Sequence, residues 1–282
     1  MYTIFPKGPF SLAESTGFAY IDREPEGSGP SMRLAFCRDG SWEPTGVSLV
    51  QHDSTIAVDG DPADRAQVER ILALDVDASG FADVGARDPV IGRLQAAAPG
   101  LRPPLLHSAY EAAVFCILTA RRSAAQARRM RTSLAERAGT VLDVDGHRVT
   151  CLPPPAYLAD PDPVSGLDPT RRERVQGVAR AALDGKLDTA ALRAMTPENA
   201  RAHLELLSGI GPFSSAIIVT RALGHTDYLA GPITELNTRV GELYDLGHPA
   251  TPDELERIAQ AWSPWRTWSQ LYIRSVSPRP PR

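Results

Sequence analysis

Two glycines, Gly209 and Gly211, stand between two helix-like stretches and could do chemistry through the backbone rather than through a side chain. Residues 197–206 read as a short helix capped by Thr196, and residues 214–223 are apolar at helical spacing. One interpretation is that the glycines only supply the positive φ of a sharp turn between the helices. The other is that they expose backbone N–H groups at a helix N-terminus, which would bind an anion.

Arginine is concentrated in two segments, and this charge could serve an anionic partner. Residues 121–137 carry six arginines against one glutamate, and residues 171–174 carry three. The arginines are Arg121, Arg122, Arg128, Arg129, Arg131, Arg137, Arg171, Arg172 and Arg174. One such run is typical of a solvated helix face. Two runs together with a glycine hairpin favour a polyanionic partner, although the net charge of the chain is −4.

The overall composition is that of an ordinary globular protein with room for two domains. Of the 282 residues, 43% are hydrophobic and 23% are charged. No apolar run is long enough to span a bilayer, and the first ten residues lack the pattern of a signal peptide, so we expect a cytoplasmic protein without a membrane partner. The three cysteines form no metal-binding motif and no cofactor is expected, while Cys116 reads as a reduced core residue.

The order of apolar stretches and turn residues predicts an α+β fold. Three strand-like segments before residue 100 predict a small antiparallel sheet with helices packed on it. These segments are residues 32–40, 42–53 and 55–60. The rest reads as helical, with one long helical region broken near residues 119–123. We therefore divide the chain into an N-terminal α+β domain, residues 1–100, and a helical region, residues 101–282, which contains the hairpin at about residues 198–223.

Five segments of the chain occur in the order and spacing of a known family. They are MYTIFPKGPF, APGLRPPLLHSAYEAAVFCIL, LPPPAYLAD, LSGIGPFSSAIIVTRALG and WSPWRTWSQLYIR. Through them the chain resembles the helix-hairpin-helix DNA glycosylase superfamily, and most closely its bacterial 3-methyladenine DNA glycosylase II branch. The resemblance runs through nearly the whole chain. The hairpin with its following helix is the most specific element, and the tryptophan-rich C-terminal segment is the second.

The resemblance implies a base excision repair enzyme that acts as a monomer on double-stranded DNA containing damaged bases. It implies that the backbone amides at Gly209, Gly211 and the start of the next helix bind a DNA phosphate beside the lesion. The Ser214 hydroxyl could assist them, or could simply cap the helix. The hairpin carbonyls of such proteins often hold a monovalent cation, Na⁺ or K⁺.

Glycosylases flip the damaged nucleotide out of the duplex, and a side chain usually fills the gap that it leaves. The resemblance places Arg121 in this role, where the family tends to have an apolar residue. Its guanidinium could stack on the bases or neutralise a phosphate, and both alternatives remain open. Arg122 and Arg128 are expected to bind DNA as well.

A pocket for an alkylated purine should be aromatic, because such a base is cationic and electron-poor. The resemblance places Phe213 at an aromatic position after the hairpin, and Trp262, Trp265 and Trp268 could add aromatic surface. The alternative is that these tryptophans are core residues. Phe213 also stands where bifunctional members carry a lysine nucleophile, so the resemblance implies a monofunctional hydrolase without lyase activity.

The sequence departs from the family at its catalytic aspartate. Counted from either side, that position holds Ile233, and no aspartate lies between Asp227 and Asp245. Glu235, two residues on, could supply the carboxylate that stabilises the cationic sugar. Alternatively, a cationic alkylated base leaves readily enough to need no carboxylate. As a third alternative, the protein binds damaged DNA and cleaves nothing, and a helix-turn-helix transcription regulator is a more remote fourth.

Overall fold

The N-terminal part of the chain forms a four-stranded antiparallel sheet, which confirms the sheet predicted from the sequence. The computed structural model describes residues 1–17, 31–160, 164, 166–231 and 233–276. The strands are β1 (Tyr2–Ile4), β2 (Ser31–Cys37), β3 (Pro44–His52) and β4 (Thr55–Asp59). They lie in the order β1-β4-β3-β2, with Leu34 opposite Val47 and Leu49 opposite Val58.

One face of this sheet is buried because apolar side chains alternate along its strands. Met32, Leu34 and Phe36 of β2 point to the same face and are buried there. Two helices, α1 (Leu12–Thr16) and α2 (Arg65–Ile71), contribute apolar side chains to the same cluster. The sheet is therefore held by helices on one side, as in other α+β folds.

The rest of the chain is mostly helical, as the sequence predicts. The helices are α3 (Ala82–Arg87), α4 (Pro89–Ala97), α5 (Ala109–Thr119), α6 (Ala124–Ala138), α7 (Pro155–Leu158), α8 (Pro169–Leu183), α9 (Thr189–Arg193), α10 (Pro197–Leu204), α11 (Pro212–Arg221), α12 (Thr234–Leu243), α13 (Pro252–Ala259) and α14 (Arg266–Ser275). Short 3₁₀ helices occupy Pro62–Asp64, Ser79–Phe81 and Gln260–Trp262. Several helices begin at a side-chain cap, and the Thr196 hydroxyl accepts a hydrogen bond from the N–H of Asn199 at the start of α10.

The prediction that everything after residue 101 is helical is wrong for one segment. Strands β5 (Val141–Val144) and β6 (His147–Thr150) form a two-stranded antiparallel hairpin. Asp145 and Gly146 form its turn, with φ angles of +53° and +73°. An Asp-Gly pair in the left-handed region is the preferred two-residue hairpin connection. That dipeptide was the sequence signal for this hairpin.

The predicted break in the long helical region separates α5 from α6. Ser123 starts α6 with a capping box, in which its hydroxyl accepts from the Gln126 N–H while the Gln126 side chain accepts from the Ser123 N–H. Helix α5 is buried along its whole length except at its final residue, Thr119, so it forms the centre of the largest core. The break thus brings the chain from the core to the surface.

A second core joins residues from the two parts of the chain. Residues 73–101 share it with residues 236–276, and Phe81 packs there against Tyr272 with 5.2 Å between ring centroids. The division near residue 100 stays a proposal, and residues on both sides of it contribute to this core.

The cysteines and the helices carry no sign of a membrane or metal site in the described ranges. Cys37, Cys116 and Cys151 are free and buried. None of the helices in these ranges combines the length and the apolar character needed to cross a membrane. The same ranges contain no cluster of three or more metal-binding side chains.

Candidate functional site

The expected helical hairpin is formed by α10 and α11, and its two glycines have different conformations. Gly209 has a φ of +92°, the left-handed region that favours glycine. The N–H of Ile210 closes the turn by donating to the carbonyl of Leu207 at 3.0 Å. Gly211 has a φ of −101°, which any residue adopts, and nothing lies within 4 Å of the place that a Cβ would take. The turn itself therefore requires only Gly209.

The first turn of α11 has backbone N–H groups that the protein does not use. Gly211 is the N-cap but has no capping side chain, and Pro212 follows without an N–H. Among the described residues, the N–H groups of Gly211, Phe213 and Ser214 find no acceptor, and neither does the Ser214 hydroxyl. Free N–H groups at the positive end of a helix dipole attract an anion. This geometry suits the anion-binding interpretation of the hairpin.

An arginine of α8 packs directly on the hairpin turn. A Cβ on Gly209 would lie 2.6 Å from Cδ and 3.1 Å from Nε of Arg174. Arg174 has no hydrogen bond or ion pair within the ranges that the structure describes. One turn earlier, Arg171 donates from Nε to the Ile117 carbonyl at 3.1 Å and from Nη2 to the Ala120 carbonyl at 2.7 Å. Helix α8 therefore joins the hairpin to the break between α5 and α6.

The break carries the first arginine segment. Arg121 and Arg122 are exposed there, and Arg121 has a φ of +56°. Arg128 is half-buried one turn into α6. Arg131, however, is buried and forms an ion pair with Glu111, whose Oε1 lies 2.7 Å from its Nη2. The surface charge of this segment is thus smaller than the sequence suggests, because Arg131 neutralises a carboxylate in the core.

A cavity of about 550 Å³ opens beside the first turn of α11. It lies between α11, residues 228–231 and α14, and its apolar lining includes Phe213, Ala216, Ile217, Leu229, Ile233 and Leu271. Phe213 is 66% exposed although it is apolar. Its ring belongs both to the cavity and to the helix turn with the free N–H groups, where it could stack on a planar ligand.

The three tryptophans are in the core and do not surround this cavity. Trp262, Trp265 and Trp268 are buried, and none is among the described residues that line the cavity. Trp265 and Trp268 pack against Phe81, with 5.7 and 5.4 Å between ring centroids. Nε1 of Trp262 donates to Oδ2 of Asp88 at 2.9 Å. These large rings fill the space between the C-terminal helices and residues 73–101, so they cannot also form a base pocket.

Of Ile233 and Glu235, only Ile233 lines the cavity. Ile233 lines the cavity and α12 begins directly after it. The side chain of Glu235 is 60% exposed, and its Oε2 accepts hydrogen bonds from Nε and Nη2 of Arg274 at 3.2 and 2.8 Å. Arg274 lines the cavity, whereas Glu235 does not. No carboxylate occurs among the described residues that line it.

Asp227 serves the structure rather than the cavity. Its carboxylate accepts from Nε and Nη2 of Arg266 at 2.7 and 2.8 Å and from the Ser263 hydroxyl at 2.9 Å. The hydrogen bonds from Arg266 hold the pKa of Asp227 below its ordinary value. This pair attaches the start of α14 to the segment that follows α11.

Sequence and fold both match known DNA glycosylases. No protein-family model matches the chain. The chain is 31% identical over 187 residues to DNA-3-methyladenine glycosylase 2 of Escherichia coli (strain K12). The aligned residues make up 65% of this chain and 63% of that protein. Its structure matches that of the 3-methyladenine DNA-glycosylase from Archaeoglobus fulgidus over 97% of both chains, with a TM-score of 0.78 and 18% identity. The chain therefore has the fold of the helix-hairpin-helix DNA glycosylases, and its sequence is similar to that of a DNA-3-methyladenine glycosylase.

The matched region spans less than two thirds of the Escherichia coli glycosylase. A further structural match is MBOgg1, solved in complex with a low-affinity DNA ligand, with a TM-score of 0.76, 18% identity and coverage of 96% of this chain and 93% of that one. At this identity the structural matches show the glycosylase fold alone. Function therefore has to be argued from the site of this chain itself.

Three arginines that line this cavity, Arg201, Arg221 and Arg274, escaped the sequence analysis. Arg201 and Arg274 come from different helices, and neither belongs to a run of arginines in the sequence. Their helices, α10 and α14, are far apart in sequence, so only the fold brings the two side chains to one cavity. Arg174, by contrast, belongs to the second arginine segment, which the sequence did show.

Proposed function

We propose that this protein is a monofunctional DNA N-glycosylase that flips alkylated purines, bulky ones among them, out of double-stranded DNA and hydrolyses their N-glycosidic bonds. The observation that carries the proposal is the cavity of about 550 Å³ next to the free N–H groups of α11, with Phe213 exposed at their junction. Cavities of this size accommodate small organic ligands, and a purine with a substituent falls in that range. The names of the relatives support alkylated bases as the substrate class.

DNA binding would depend on the hairpin and on the arginines near it. The N–H groups of Gly211, Phe213 and Ser214 would hold one phosphate beside the flipped nucleotide. Arg174 would add a positive charge at the same turn, and Arg121 would enter or flank the gap in the base stack. The negative net charge of the chain does not oppose this, because the local field at the site is what the DNA meets.

The proposed reaction is a hydrolysis at C1′ of the flipped nucleotide. The C1′–N9 bond breaks and its electron pair moves to the base, where it cancels the positive charge of a 3- or 7-alkylpurine. Water adds to C1′ and releases its proton to the solvent. Phe213 offers no amine, so no covalent Schiff base with the sugar is expected.

The leaving group would supply most of the driving force. Ile233 can give no charge to the cationic sugar, and Glu235 is engaged by Arg274 outside the cavity. A base that already carries a positive charge needs less stabilisation in the transition state than a neutral base does. This supports a glycosylase restricted to bases that leave readily.

A non-catalytic damage-binding protein is the alternative, and the position of Ile233 favours it. The cavity would then hold a flipped base without any group that assists bond cleavage. Both proposals predict binding to alkylated duplex DNA, and only the first predicts release of a base.

Base release from alkylated duplex DNA under single-turnover conditions separates the two proposals. The enzyme in excess over methylated duplex should liberate methylpurines well above the spontaneous rate. The Phe213→Ala variant, which removes the stacking ring and keeps the hairpin, should lose most of this rate. If methylated duplex binds and no base appears in the supernatant, the damage-binding alternative replaces the glycosylase.

The other properties implied by the resemblance remain proposals as well. The protein would act as a monomer, with a Na⁺ or K⁺ ion at the hairpin carbonyls. It would work in the cytoplasm, on double-stranded DNA that contains damaged bases. Size-exclusion chromatography with light scattering, with and without duplex DNA, tests the monomer directly.

A further inference from the structure

Most polar side chains that line the cavity are already used by the protein. Arg201 donates to the Tyr228 hydroxyl at 2.7 Å and to Glu205 at 3.1 Å. Gln270 accepts from the Ala230 N–H at 3.1 Å and donates to the Tyr228 carbonyl at 2.8 Å. The side chains of Thr220, Arg221 and Thr267 also donate to backbone carbonyl groups. These groups shape the cavity, and their hydrogen bonds are not available to a ligand without a cost.

Arg274 is different, because part of its guanidinium is unused. Nε and Nη2 bind Glu235, while Nη1 has no hydrogen bond to any described residue. Tyr228 and Ser275 also line the cavity, but a hydroxyl can donate or accept and so does not distinguish ligands. Arg274 can only donate. Its Nη1 thus offers the cavity a donor that can read the direction of a hydrogen bond.

From this we propose that Arg274 makes the cavity selective for alkylated guanine over alkylated adenine, by donating a hydrogen bond from Nη1 to O6 of the flipped base. The inference rests on the proposed function, in that the cavity holds a flipped purine. Guanine carries an acceptor, O6, at the position where adenine carries an amino group, which is a donor. Adenine would set its amino group against the guanidinium and leave two donors without an acceptor.

The ion pair with Glu235 lets Arg274 bind a base that is itself cationic. The carboxylate balances the guanidinium charge, so a 7-alkylguanine cation does not meet an uncompensated positive group. Glu235 is therefore a positioning residue, which fixes the guanidinium through two hydrogen bonds. When the C1′–N9 bond breaks, the base gains electron density and O6 becomes a better acceptor. The same hydrogen bond then favours departure of guanine at a site where Ile233 gives no help.

Binding of free bases tests the selectivity without requiring cleavage. Isothermal titration of the unaltered protein with 7-methylguanine and with 3-methyladenine should show roughly tenfold or greater preference for 7-methylguanine, since one hydrogen bond to a charged donor is at stake. Arg274→Lys keeps a cationic donor and should retain the preference. Arg274→Gln offers both a donor and an acceptor and should remove or reverse it. Arg239→Gln, on a similar exposed ion pair with Glu242 outside the cavity, should change nothing.

The outcome is separable from that of the proposed function. Base release from methylated duplex reports on catalysis, and the ratio of the two affinities reports on Arg274. Release of both purines with equal affinities would leave the glycosylase intact and overturn the inference. A preference for 7-methylguanine without any release would sustain the inference in a damage-binding protein. Failure to bind either base, or a preference that survives in Arg274→Gln, would overturn it.

Discussion

Oε2 of Glu235 lies 2.8 Å from Nη2 of Arg274, and of these two residues only Arg274 lines the cavity. The carboxylate that the sequence offers as a substitute for the family aspartate is therefore held on the outside of the site. An exposed ion pair of this kind is worth at most about 1 kcal/mol, so it does not by itself prevent Glu235 from turning inward.

Glu235→Gln should lower the rate of alkylpurine release by about tenfold or less, because it removes the charge balance of Arg274 but not the leaving group that drives the reaction. Single-turnover release of 7-methylguanine measures it. Glu242→Gln, on the exposed face of the same helix, is the matched control. A loss of about a hundredfold or more in Glu235→Gln alone would show that this glutamate has taken over the aspartate's role.

Ile233→Asp should raise the rate or widen the substrate range, since it places a carboxylate in the cavity lining where the sugar becomes cationic. The unaltered protein should release hypoxanthine, a neutral base, far more slowly than 7-methylguanine. Ile233→Asn, similar in size to the aspartate but uncharged, should not reproduce the gain. Comparable release of hypoxanthine and 7-methylguanine by the unaltered protein would contradict the leaving-group account.

Gly211→Ala should weaken DNA binding and hardly change the thermal stability. A methyl group there meets no atom of the protein and φ is unstrained, but it would stand near the N–H groups proposed to hold a phosphate. Gly209→Ala should instead lower the free energy of unfolding by about 1–2 kcal/mol or more, because φ is +92° there and the new Cβ would displace the side chain of Arg174. Duplex affinity and thermal melts of both variants give the comparison. Unchanged DNA affinity in folded Gly211→Ala would mean that the hairpin is only a turn.

Arg174→Ala should reduce the salt dependence of DNA binding. If the guanidinium neutralises one phosphate, the slope of log K against log salt should become shallower by about 0.9. Arg180→Ala is the control, since this exposed arginine lies on the same helix six residues further on. Equal slopes for the two variants and the unaltered protein would remove the hairpin face of α8 from the DNA interface.

The protein should lose stability in acid through Glu111. Burial alone would raise the pKa of Glu111, but the charges of Arg131 and His107 outweigh it and lower the pKa to about 2. A lowered pKa in the folded state gives stability that is present above the ordinary carboxyl value and is lost as the pH falls towards 2. Chemical denaturation between pH 5 and pH 2 should therefore show a declining free energy of unfolding.

Removing the carboxylate tests this assignment. Glu111→Gln leaves Arg131 buried without its partner, so the free energy of unfolding at pH 7 should fall by about 3–5 kcal/mol. The decline of that free energy between pH 5 and pH 2 should also become shallower. Glu136→Gln, an exposed change on α6, should show the same decline between pH 5 and pH 2 as the unaltered protein. If the free energy of unfolding of Glu111→Gln declines as steeply between pH 5 and pH 2, other carboxylates cause the loss of stability in acid.

Local sequence patterns were enough for most of the fold. Alternating apolar residues predicted the sheet, and helical spacing with caps such as Thr196 predicted the hairpin and the break near residue 121. These signals are short-range, because a strand or a capped helix is specified by residues a few positions apart. The β5–β6 hairpin was missed although its Asp-Gly turn was visible, since helical segments on both sides dominated the pattern.

By itself the sequence also determined which groups are present: a glycine hairpin, an arginine-rich break, an isoleucine where the family has an aspartate, and Glu235 nearby. Only the tertiary structure decided what these groups do. It buried the tryptophans in a core shared with residues 73–101, turned Arg131 inward to Glu111, and set Arg274 between Glu235 and the cavity. The physical reason is that burial and ion pairing depend on residues from distant elements meeting in space, and a one-dimensional pattern does not specify those meetings.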